Sequence, residues 1–262
     1  MKKKIVAICY DFDRTLSSAE MQTHFIEKLG MEPKDFWAKC NRKADEQNMD
    51  SVISYMKQMV DECKERNIKL TKDYLKKCGE VIYYFDGVET WFKRINAYAE
   101  SKGIDVEHYV ISTGNKEILE GCSIFDEFKE VYGCEFLFDE NGIACWPKKI
   151  VNFTQKTQYL FKICKGIDET ESECAVNDRV KKRRVNFEDM VYIGDGFSDI
   201  PCMVLVKGNG GVSIAVFNES KEVCKKLKKD DRVNFICKSD YSEGSQLESI
   251  MKETIDLIAS RN

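Results

Sequence analysis

The stretch KIVAICYDFDRT, residues 4–15, decides how the rest of the chain is interpreted. Residues 4–10 form a short and nearly continuous apolar run, which is typical of a parallel strand covered by helices on both faces. Asp11 and Asp13 follow at once, at the point where a buried strand has to end. A pair of carboxylates in that position indicates a candidate functional site.

Further apolar runs alternate with helical patterns after residue 86, which predicts an α/β fold with a doubly wound, Rossmann-like parallel sheet. The pattern before residue 86 differs, because residues 18–86 have helical spacing throughout. We therefore predict a core domain over 1–17 and 87–262 and a smaller all-helical domain over 18–86. The predicted elements after residue 86 are a helix ending at Lys102-Gly103, strands over 108–112 and 130–134, a hairpin over 135–146 turning at Asn141-Gly142, a helix from Thr154 that carries Lys156, a surface loop over 166–188, strands over 190–194, 212–217 and 233–237, and a helix over 246–259.

Polar residues follow several of the predicted strands. Since the carboxyl ends of parallel strands meet at one edge of a sheet, these residues are expected to share one crevice. They are Asp11, Asp13, Ser112, Thr113, Gly114, Asp195 and Asp199. Carboxylates crowded in a crevice repel one another, and a divalent cation relieves that repulsion. Oxygen-only ligands favour Mg²⁺, whereas the two histidines of the chain, His24 and His108, fall beside none of the acidic residues.

Composition excludes several other classes of protein. The net charge of -4 comes from 41 basic and 45 acidic residues that are well mixed, which does not favour nucleic acid or anionic lipid as a partner. Twelve cysteines are scattered without a CxxC pair, which is typical of reduced thiols in a reducing compartment. No apolar run could span a bilayer, and the basic start lacks a cleavage site. We expect a cytoplasmic protein that binds neither nucleic acid nor membrane, while the oligomeric state stays open.

Four separated motifs together resemble the phosphatases of the haloacid dehalogenase superfamily, in the branch that includes phosphoserine phosphatase. They are DFDRT at 11–15, VIST at 110–113, Lys156 on a helix, and GDGFSD at 194–199. Each motif alone is weak, but their joint occurrence in this order is highly specific. The resemblance implies a Mg²⁺-dependent phosphatase that hydrolyses a small phosphorylated metabolite through an aspartyl-phosphate intermediate.

The resemblance also implies roles for single residues. Asp11 would attack phosphorus, and Asp13 would act first as general acid and then as general base. Mg²⁺ would be held by Asp11, the Asp13 backbone carbonyl and Asp195, with Asp199 as an outer ligand or orienting group. The remaining roles are phosphate binding by Ser112, Thr113, Gly114 and Lys156, and support of the first loop by Thr15.

The resemblance further implies that residues 18–86 form a cap over the site, with hinges near 16–18 and 85–87. Arg14 departs from the family pattern, in which glycine is common, so either a substrate contact or a surface role is open. Three alternatives to a phosphatase also remain open. They are a phosphotransferase of the same fold, a receiver-like signalling domain, which the length and the helical insertion disfavour, and a non-catalytic protein that binds phosphate or Mg²⁺.

Overall fold

The computed structural model describes residues 3–168, 171–180 and 182–261. In chain order its strands and helices are β1 (Lys4–Tyr10), α1 (Thr23–Lys28), α2 (Pro33–Gln47), α3 (Ser51–Glu65), α4 (Lys72–Gly79), α5 (Val88–Ser101), β2 (Ile104–Asn115), α6 (Lys116–Leu119), β3 (Glu130–Phe138), β4 (Ala144–Lys149), α7 (Lys156–Lys165), β5 (Met190–Gly194), α8 (Ile200–Gly208), β6 (Val212–Phe217), α9 (Glu222–Lys229), β7 (Phe235–Lys238) and α10 (Gln246–Ala259). Short 3₁₀ turns lie at Phe125–Glu127, Glu173–Asn177, Phe187–Asp189 and Phe197–Asp199.

Within the described residues the strands form one seven-stranded sheet in the order β4-β3-β2-β1-β5-β6-β7. Every neighbouring pair is parallel except β3 and β4, which form an antiparallel hairpin at one edge. The chain builds one half of the sheet outward from β1 through β2 and β3. It then returns to the other side of β1 with β5 and continues to β7. This arrangement confirms the predicted doubly wound α/β fold.

The surroundings of the central strand β1 explain why its sequence is a nearly continuous apolar run. Its last five residues, Val6 to Tyr10, are completely buried, because strands flank it on both edges and helices cover both faces. Phe12 is also fully buried, as expected for a side chain that points into the core between two acidic residues.

Several element boundaries differ from the predictions. β2 is longer than predicted and extends through Ser112, Thr113 and Gly114 to Asn115, with an irregular register against β3 after Ile111. β3 is one continuous strand, so the separately predicted strand and the first arm of the hairpin are the same element. The turn at Asn141-Gly142 was correct, and Gly142 adopts the left-handed conformation there with φ +71°.

Residues 18–86 contain helices α1 to α4 and pack over the carboxyl edge of the sheet. Two connecting segments join them to the rest of the chain and pair with each other, since Ser17 and Tyr84 form an antiparallel bridge. The Phe85 N–H donates to the Leu16 carbonyl over 3.0 Å in the same pairing. The helical region therefore leaves and rejoins the sheet through a paired two-segment connection.

None of the helices in the described parts of the chain is both long enough and apolar enough to cross a membrane. The basic run at 181–184 lies partly outside the described residues, because Lys181 is not among them. Arg184 of that run forms an ion pair with Glu107 and is not a free cationic group.

Candidate active site

The candidate site lies at the carboxyl end of β1, where the direction of strand addition reverses. β2 pairs with one edge of β1 and β5 with the other, so the segments after β1 and β5 begin side by side. The Asp11 N–H continues this pairing by donating to the Ile193 carbonyl over 2.9 Å. Asp195 directly follows β5. The topology thus brings together two acidic residues that are far apart in sequence, as the sheet-edge argument predicted.

Lys156 is the first residue of α7 and is completely buried. Its Nζ donates to Asp11 Oδ1 and to Asp199 Oδ1, each over 2.8 Å. Burial acts to lower the pKa of this ammonium group, but the two carboxylates outweigh burial and hold the pKa above its ordinary value. Lys156 is therefore a buried and fixed positive charge against Asp11 and not a surface lysine.

Asp199 is held in place by further hydrogen bonds. The Tyr192 hydroxyl donates to its Oδ1 over 2.8 Å, and the Gly196 N–H donates to its Oδ2 over 3.2 Å. A Cβ atom on Gly194 would lie 2.4 Å from this Oδ2, closer than side chains tolerate. Glycine at 194 is therefore required by the close approach of the Asp199 carboxylate to the end of β5.

The carboxylates at this edge of the sheet outnumber the positive charges beside them. One carboxylate oxygen from each of Asp11, Asp195 and Asp199 lies within 4.8 Å of the others. Burial, and then Asp199, raise the pKa of Asp11 to about 6 in spite of Lys156. Burial, and then the charges of Asp11 and Asp199, raise the pKa of Asp195 to about 8. Three hard oxygen donors around a single lysine fit a divalent cation such as Mg²⁺.

Asp13 lies in a tight turn that follows Asp11. The Phe12 carbonyl closes this turn by accepting the N–H groups of Thr15, Leu16 and Ser17. The Asp13 Oδ1 accepts the Met21 N–H over 2.8 Å. Burial, and then the charge of Asp11, raise the pKa of Asp13 well above its ordinary value. This turn holds a carboxyl group beside Asp11 in an environment that favours its protonated form.

Arg14 occupies the left-handed region of the turn with φ +57°, a conformation that glycine adopts without cost. Its side chain is 62% exposed, and its Nη2 lies 2.5 Å from Glu20 Oε1. The departure from glycine at this position therefore places an ion pair at the mouth of the site.

The end of β2 supplies the third part of the site. Ser112 is fully buried, and its Oγ accepts the Gly114 N–H over 3.0 Å. The Thr113 carbonyl accepts the Tyr55 hydroxyl over 2.8 Å, which ties α3 to this segment. A Cβ on Gly114 would lie 2.3 Å from the end of the Met21 side chain, so a larger residue here would require that side chain to move.

Thr15 is also fully buried behind the turn. Its carbonyl accepts the Tyr241 hydroxyl over 2.9 Å, and its own Oγ1 has no hydrogen-bond partner among residues 3–168, 171–180 and 182–261. Thr15 therefore connects the turn to the segment before α10.

These groups surround a cavity of about 330 Å³ between the sheet edge and the helices α2 and α3. Its sheet side is lined by Asp11, Asp13, Thr113, Gly114 and Asp195. Lys156, Asp199, Ser112 and Thr15 are completely buried behind this surface. The acidic residues and the β2 segment thus face a common space, while the other predicted site residues hold them from behind.

A family model described as haloacid dehalogenase-like hydrolase matches residues 8–204, which is most of the chain. The chain belongs to this family. The match begins within β1 and ends within α8, so it spans the motif residues at the ends of β1, β2 and β5 together with Lys156.

Individual proteins resemble this hydrolase over nearly its full length. An uncharacterized protein of Borreliella burgdorferi is 26% identical, with 98% of each chain covered. A phosphoserine phosphatase solved with an analogue of its phospho-aspartyl intermediate is 19% identical, covers 96% of this chain and 99% of its own, and superposes with a TM-score of 0.57. A probable phosphoserine phosphatase of Vibrio cholerae is 12% identical with a TM-score of 0.64, over 98% of this chain and 67% of its own. These two similarities show a common fold.

Sequence reasoning missed several residues that shape the hydrolase site. Tyr192 and Tyr241 donate to groups of the site, yet in the sequence they are only apolar-looking members of buried segments. Trp37 and Tyr55 line the cavity, but the sequence predicts only that they lie within a helical region. Gln22, which also lines the cavity, carries no motif. No local signal could have found these residues, because their roles depend on how α2 and α3 pack over the sheet.

The two histidines lie outside this chemistry, as predicted. His108 is buried, with Nδ1 3.0 Å from the Tyr10 hydroxyl and Nε2 2.9 Å from Asn96 Oδ1. Burial lowers the pKa of His108 to about 3, so its ring is neutral at ordinary pH. His24 is half-buried in α1, within 3.7 Å of Glu27. Both have ordinary structural surroundings.

Proposed function

We propose that this hydrolase is a Mg²⁺-dependent phosphatase that hydrolyses a small phosphomonoester through a covalent phosphate on Asp11. The observation that carries the proposal is the buried group formed by Asp11, Asp199 and Lys156, with Asp195 beside it. A nucleophile fixed against a cation, with further carboxylates short of positive charge, is an arrangement suited to transfer of an anionic phosphoryl group.

In the first step a carboxylate oxygen of Asp11 bonds to phosphorus while the bond from phosphorus to the ester oxygen breaks. Asp13 gives its proton to the departing oxygen, so the product leaves as a neutral alcohol. The raised pKa of Asp13, which results first from burial and then from Asp11, favours the protonated form that this step requires. The ester bond is thereby exchanged for an acyl phosphate on Asp11.

In the second step Asp13, now ionised, accepts a proton from a water molecule that attacks the phosphorus. The bond between Asp11 and phosphorus breaks, and inorganic phosphate is released. Asp13 is then protonated again and Asp11 is again a free carboxylate, so the cycle is balanced. The short turn that contains both residues keeps the nucleophile and the acid close to the same phosphoryl group.

The remaining residues position these two. Lys156 holds one oxygen of Asp11 over 2.8 Å and orients the carboxylate. Asp199 accepts a hydrogen bond from the Lys156 ammonium group and a second one from the Tyr192 hydroxyl. These three side chains form a completely buried network. Ser112, Thr113 and Gly114 are proposed to bind phosphate oxygens from the end of β2, with Lys156 adding positive charge.

Mg²⁺ would be held by Asp11, Asp195 and the Asp13 backbone carbonyl, with Asp199 in contact or just outside. When bound, it would supply positive charge to the phosphoryl oxygens and to the crowded carboxylates. The fit rests on the donor set, since the pKa of Asp195 is raised to about 8 by burial and by Asp11 and Asp199. A cation is the group that would let all of these carboxylates ionise together.

We further propose that residues 18–86 act as a cap on a core formed by 1–17 and 87–262. The paired connection between Ser17 and Tyr84 supports hinges near 16–18 and 85–87. Opening would have to break the contacts between these helices and the core, among them the bond from the Tyr55 hydroxyl to the Thr113 carbonyl and the ion pairs of Lys72 and Lys76 with Glu120. Closure would exclude water from the cavity and bring α2 and α3 against the leaving group.

The cavity volume supports a small substrate, because about 330 Å³ is near the lower limit for sites that enclose a small molecule. A phosphorylated metabolite fits such a space, whereas a folded phosphoprotein does not. Phosphoserine, the substrate named for the structural relatives, is one candidate substrate among many small phosphomonoesters.

Release of p-nitrophenol from p-nitrophenyl phosphate, with Mg²⁺ and then with a chelator, tests the proposed function. We expect turnover only with the metal and none with Asp11→Asn. An exposed residue of α2 gives a matched control, since Asp45→Asn removes one carboxylate charge far from the strand ends. Turnover by the Asp11→Asn variant at the wild-type rate would contradict the proposal.

A further inference from the structure

The end of the cavity away from the acidic residues is formed by α2, α3 and the segment before α7. Its lining there consists of Trp37, Cys40, Asn41, Ser51, Val52, Tyr55 and Phe153. The Trp37 and Tyr55 rings contact each other edge to face, with centroids 5.7 Å apart. Phe153 remains 48% exposed, although its side chain is large and apolar. We call the surface formed by Trp37, Val52, Tyr55 and Phe153 the aromatic wall.

The aromatic wall carries no charge. Among the described residues that line the cavity, the charged side chains are Asp11, Asp13, Asp195 and the pair Arg14 and Glu20. Arg14 and Glu20 are paired with each other over 2.5 Å and lie in the segment between β1 and α1, away from the aromatic wall. A leaving group on this side would therefore find no unpaired charge among the described lining residues.

The nearby lysines of α2 do not change this balance. Lys39 Nζ lies 2.5 Å from Glu62 Oε1, and Lys43 Nζ lies 3.0 Å from Asp61 Oδ2. Both lysines are therefore used between α2 and α3, and neither lines the cavity. A substrate carboxylate or ammonium group enclosed here would lose its hydration without gaining a charged partner, which is costly.

Two polar groups at the cavity also lack partners. The Trp37 indole N–H and the Gln22 side-chain oxygen are shielded from solvent and have no hydrogen-bond partner in the described parts of the chain. Gln22 is only 2% exposed. Both groups are neutral and covered by protein atoms, so they add no charged partner for a leaving group on this side of the cavity.

From these observations we propose that the leaving group is an uncharged alcohol with an aromatic or similarly flat ring, which packs against the aromatic wall. The proposal rests on the phosphatase function proposed above and narrows its substrate class. It predicts selection against zwitterionic phosphomonoesters such as phosphoserine. The ring would stack on Trp37 and Tyr55, while the phosphate faces Asp11 and the end of β2.

Benzyl phosphate and O-phospho-L-serine test this selection, because both are esters of primary alcohols and differ in ring and charge. We expect kcat/KM to be at least about 10-fold higher for benzyl phosphate, the effect of one mismatched group in an enclosed pocket. An equal or higher kcat/KM for phosphoserine would overturn the inference and leave the phosphatase function intact. Release of phosphate from neither ester, nor from p-nitrophenyl phosphate, would instead contradict the function.

A binding measurement without turnover distinguishes failure of the leaving-group inference from failure of the proposed phosphatase function. Calorimetry on the Asp11→Asn variant with Mg²⁺ is expected to give a lower Kd for benzyl phosphate than for phosphoserine. Tighter or equal binding of phosphoserine overturns the inference whether or not the wild type is a phosphatase.

Variants of Trp37 test whether the aromatic wall causes the preference for benzyl phosphate over phosphoserine. Trp37→Ala is expected to lower kcat/KM for benzyl phosphate about 10-fold or more and to leave the low value for phosphoserine unchanged. Trp37→Phe keeps an aromatic ring and is expected to lose less. Trp146→Ala is the matched control, since Trp146 is 57% exposed on β4 and does not line the cavity. Equal losses for both esters in Trp37→Ala, with the melting temperature retained, would overturn the role of the aromatic wall.

Discussion

The two sides of the cavity differ in every physical property. On the sheet side, carboxylates and one lysine are buried, connected by bonds of 2.8 Å and held by short turns at strand ends. On the helical side, the lining is aromatic and neutral, and the Tyr55 hydroxyl of α3 reaches the sheet by donating to the Thr113 carbonyl. The sheet side of the cavity is therefore charged, whereas the helical side is neutral and aromatic.

This difference separates chemistry from selection. Groups that stabilise a developing charge have to be fixed before the reaction, which requires rigid elements and buried hydrogen bonds. Groups that select a leaving group need only complementary shape and polarity, so they can lie on helices that move. We expect substitutions on the sheet side to change the rate for every substrate. Substitutions on the helical side should change one substrate relative to another.

The largest effect is expected for Asp11→Asn on the sheet side. The variant loses the proposed nucleophile, so kcat should fall about 10³-fold or more for all phosphomonoesters. Lys156 keeps Asp199 as a partner, so the fold should be retained. Phosphate release and the melting temperature are the measurements. A loss confined to one substrate would contradict the separation of the two sides.

Asp13→Asn is expected to be next in size and to depend on the leaving group. The loss of a general acid and base costs about 10²- to 10⁴-fold. Benzyl phosphate needs a proton for its departing alkoxide, whereas p-nitrophenolate leaves without one. The first step should therefore be slowed strongly only for benzyl phosphate, which pre-steady-state kinetics can measure. Equal slowing of the first step for both substrates would argue against Asp13 as the acid.

Asp195→Asn is expected to increase stability while it weakens metal binding. Burial and its acidic neighbours raise the pKa of Asp195 from 3.8 to about 8. Between these values the native state binds more protons than the unfolded state, so stability falls as pH rises. Without metal, the variant should exceed the wild type by about 1 kcal/mol in the free energy of unfolding at pH 8, and by less at pH 5.

Denaturant titrations at the two pH values, with and without Mg²⁺, check this prediction. Mg²⁺ should stabilise the wild type more at pH 8 than at pH 5, because the carboxylates are then ionised. It should stabilise the variant much less. Asp45→Asn is the control on the exposed side of α2. If Mg²⁺ stabilised the variant as much as it stabilises the wild type, Asp195 would not be a ligand of the proposed metal site.

The smallest effect is expected for Tyr55→Phe, which cuts the bond between the two sides. A neutral hydrogen bond contributes about 1 kcal/mol, so KM should rise less than about 10-fold with little change in kcat. Tyr83→Phe is the matched control, because Tyr83 is 78% exposed. A large fall in kcat with unchanged KM would mean that this bond orders the chemistry and not only the closure.

The same contrast explains what could be predicted from the sequence. Asp11, Asp13 and Asp195 follow buried strands, and strand ends gather at one edge in a parallel sheet, so their meeting was predictable from local patterns. Lys156 was found through its family motif alone, because its position on a helix does not reveal that it is buried.

The helical side was not predictable in this way. Trp37 and Tyr55 have the spacing of ordinary packing residues, and only the packing of α2 and α3 over the sheet brings them to the cavity. The extension of β2 beyond Ser112 to Asn115 was missed because Thr and Gly are typical of loops, whereas the pairing of Asn115 with Cys134 of β3 continues the strand.

The central claim is that phosphate bonds to Asp11, and trapping this intermediate tests it most directly. Asp13→Asn with p-nitrophenyl phosphate and Mg²⁺ should form the acyl phosphate but hydrolyse it slowly. Acid quenching, borohydride reduction and peptide mass spectrometry would then find homoserine at position 11, in amounts that match the burst of nitrophenol. A nitrophenol burst with an unmodified Asp11, or with the phosphate on another residue, would contradict the account.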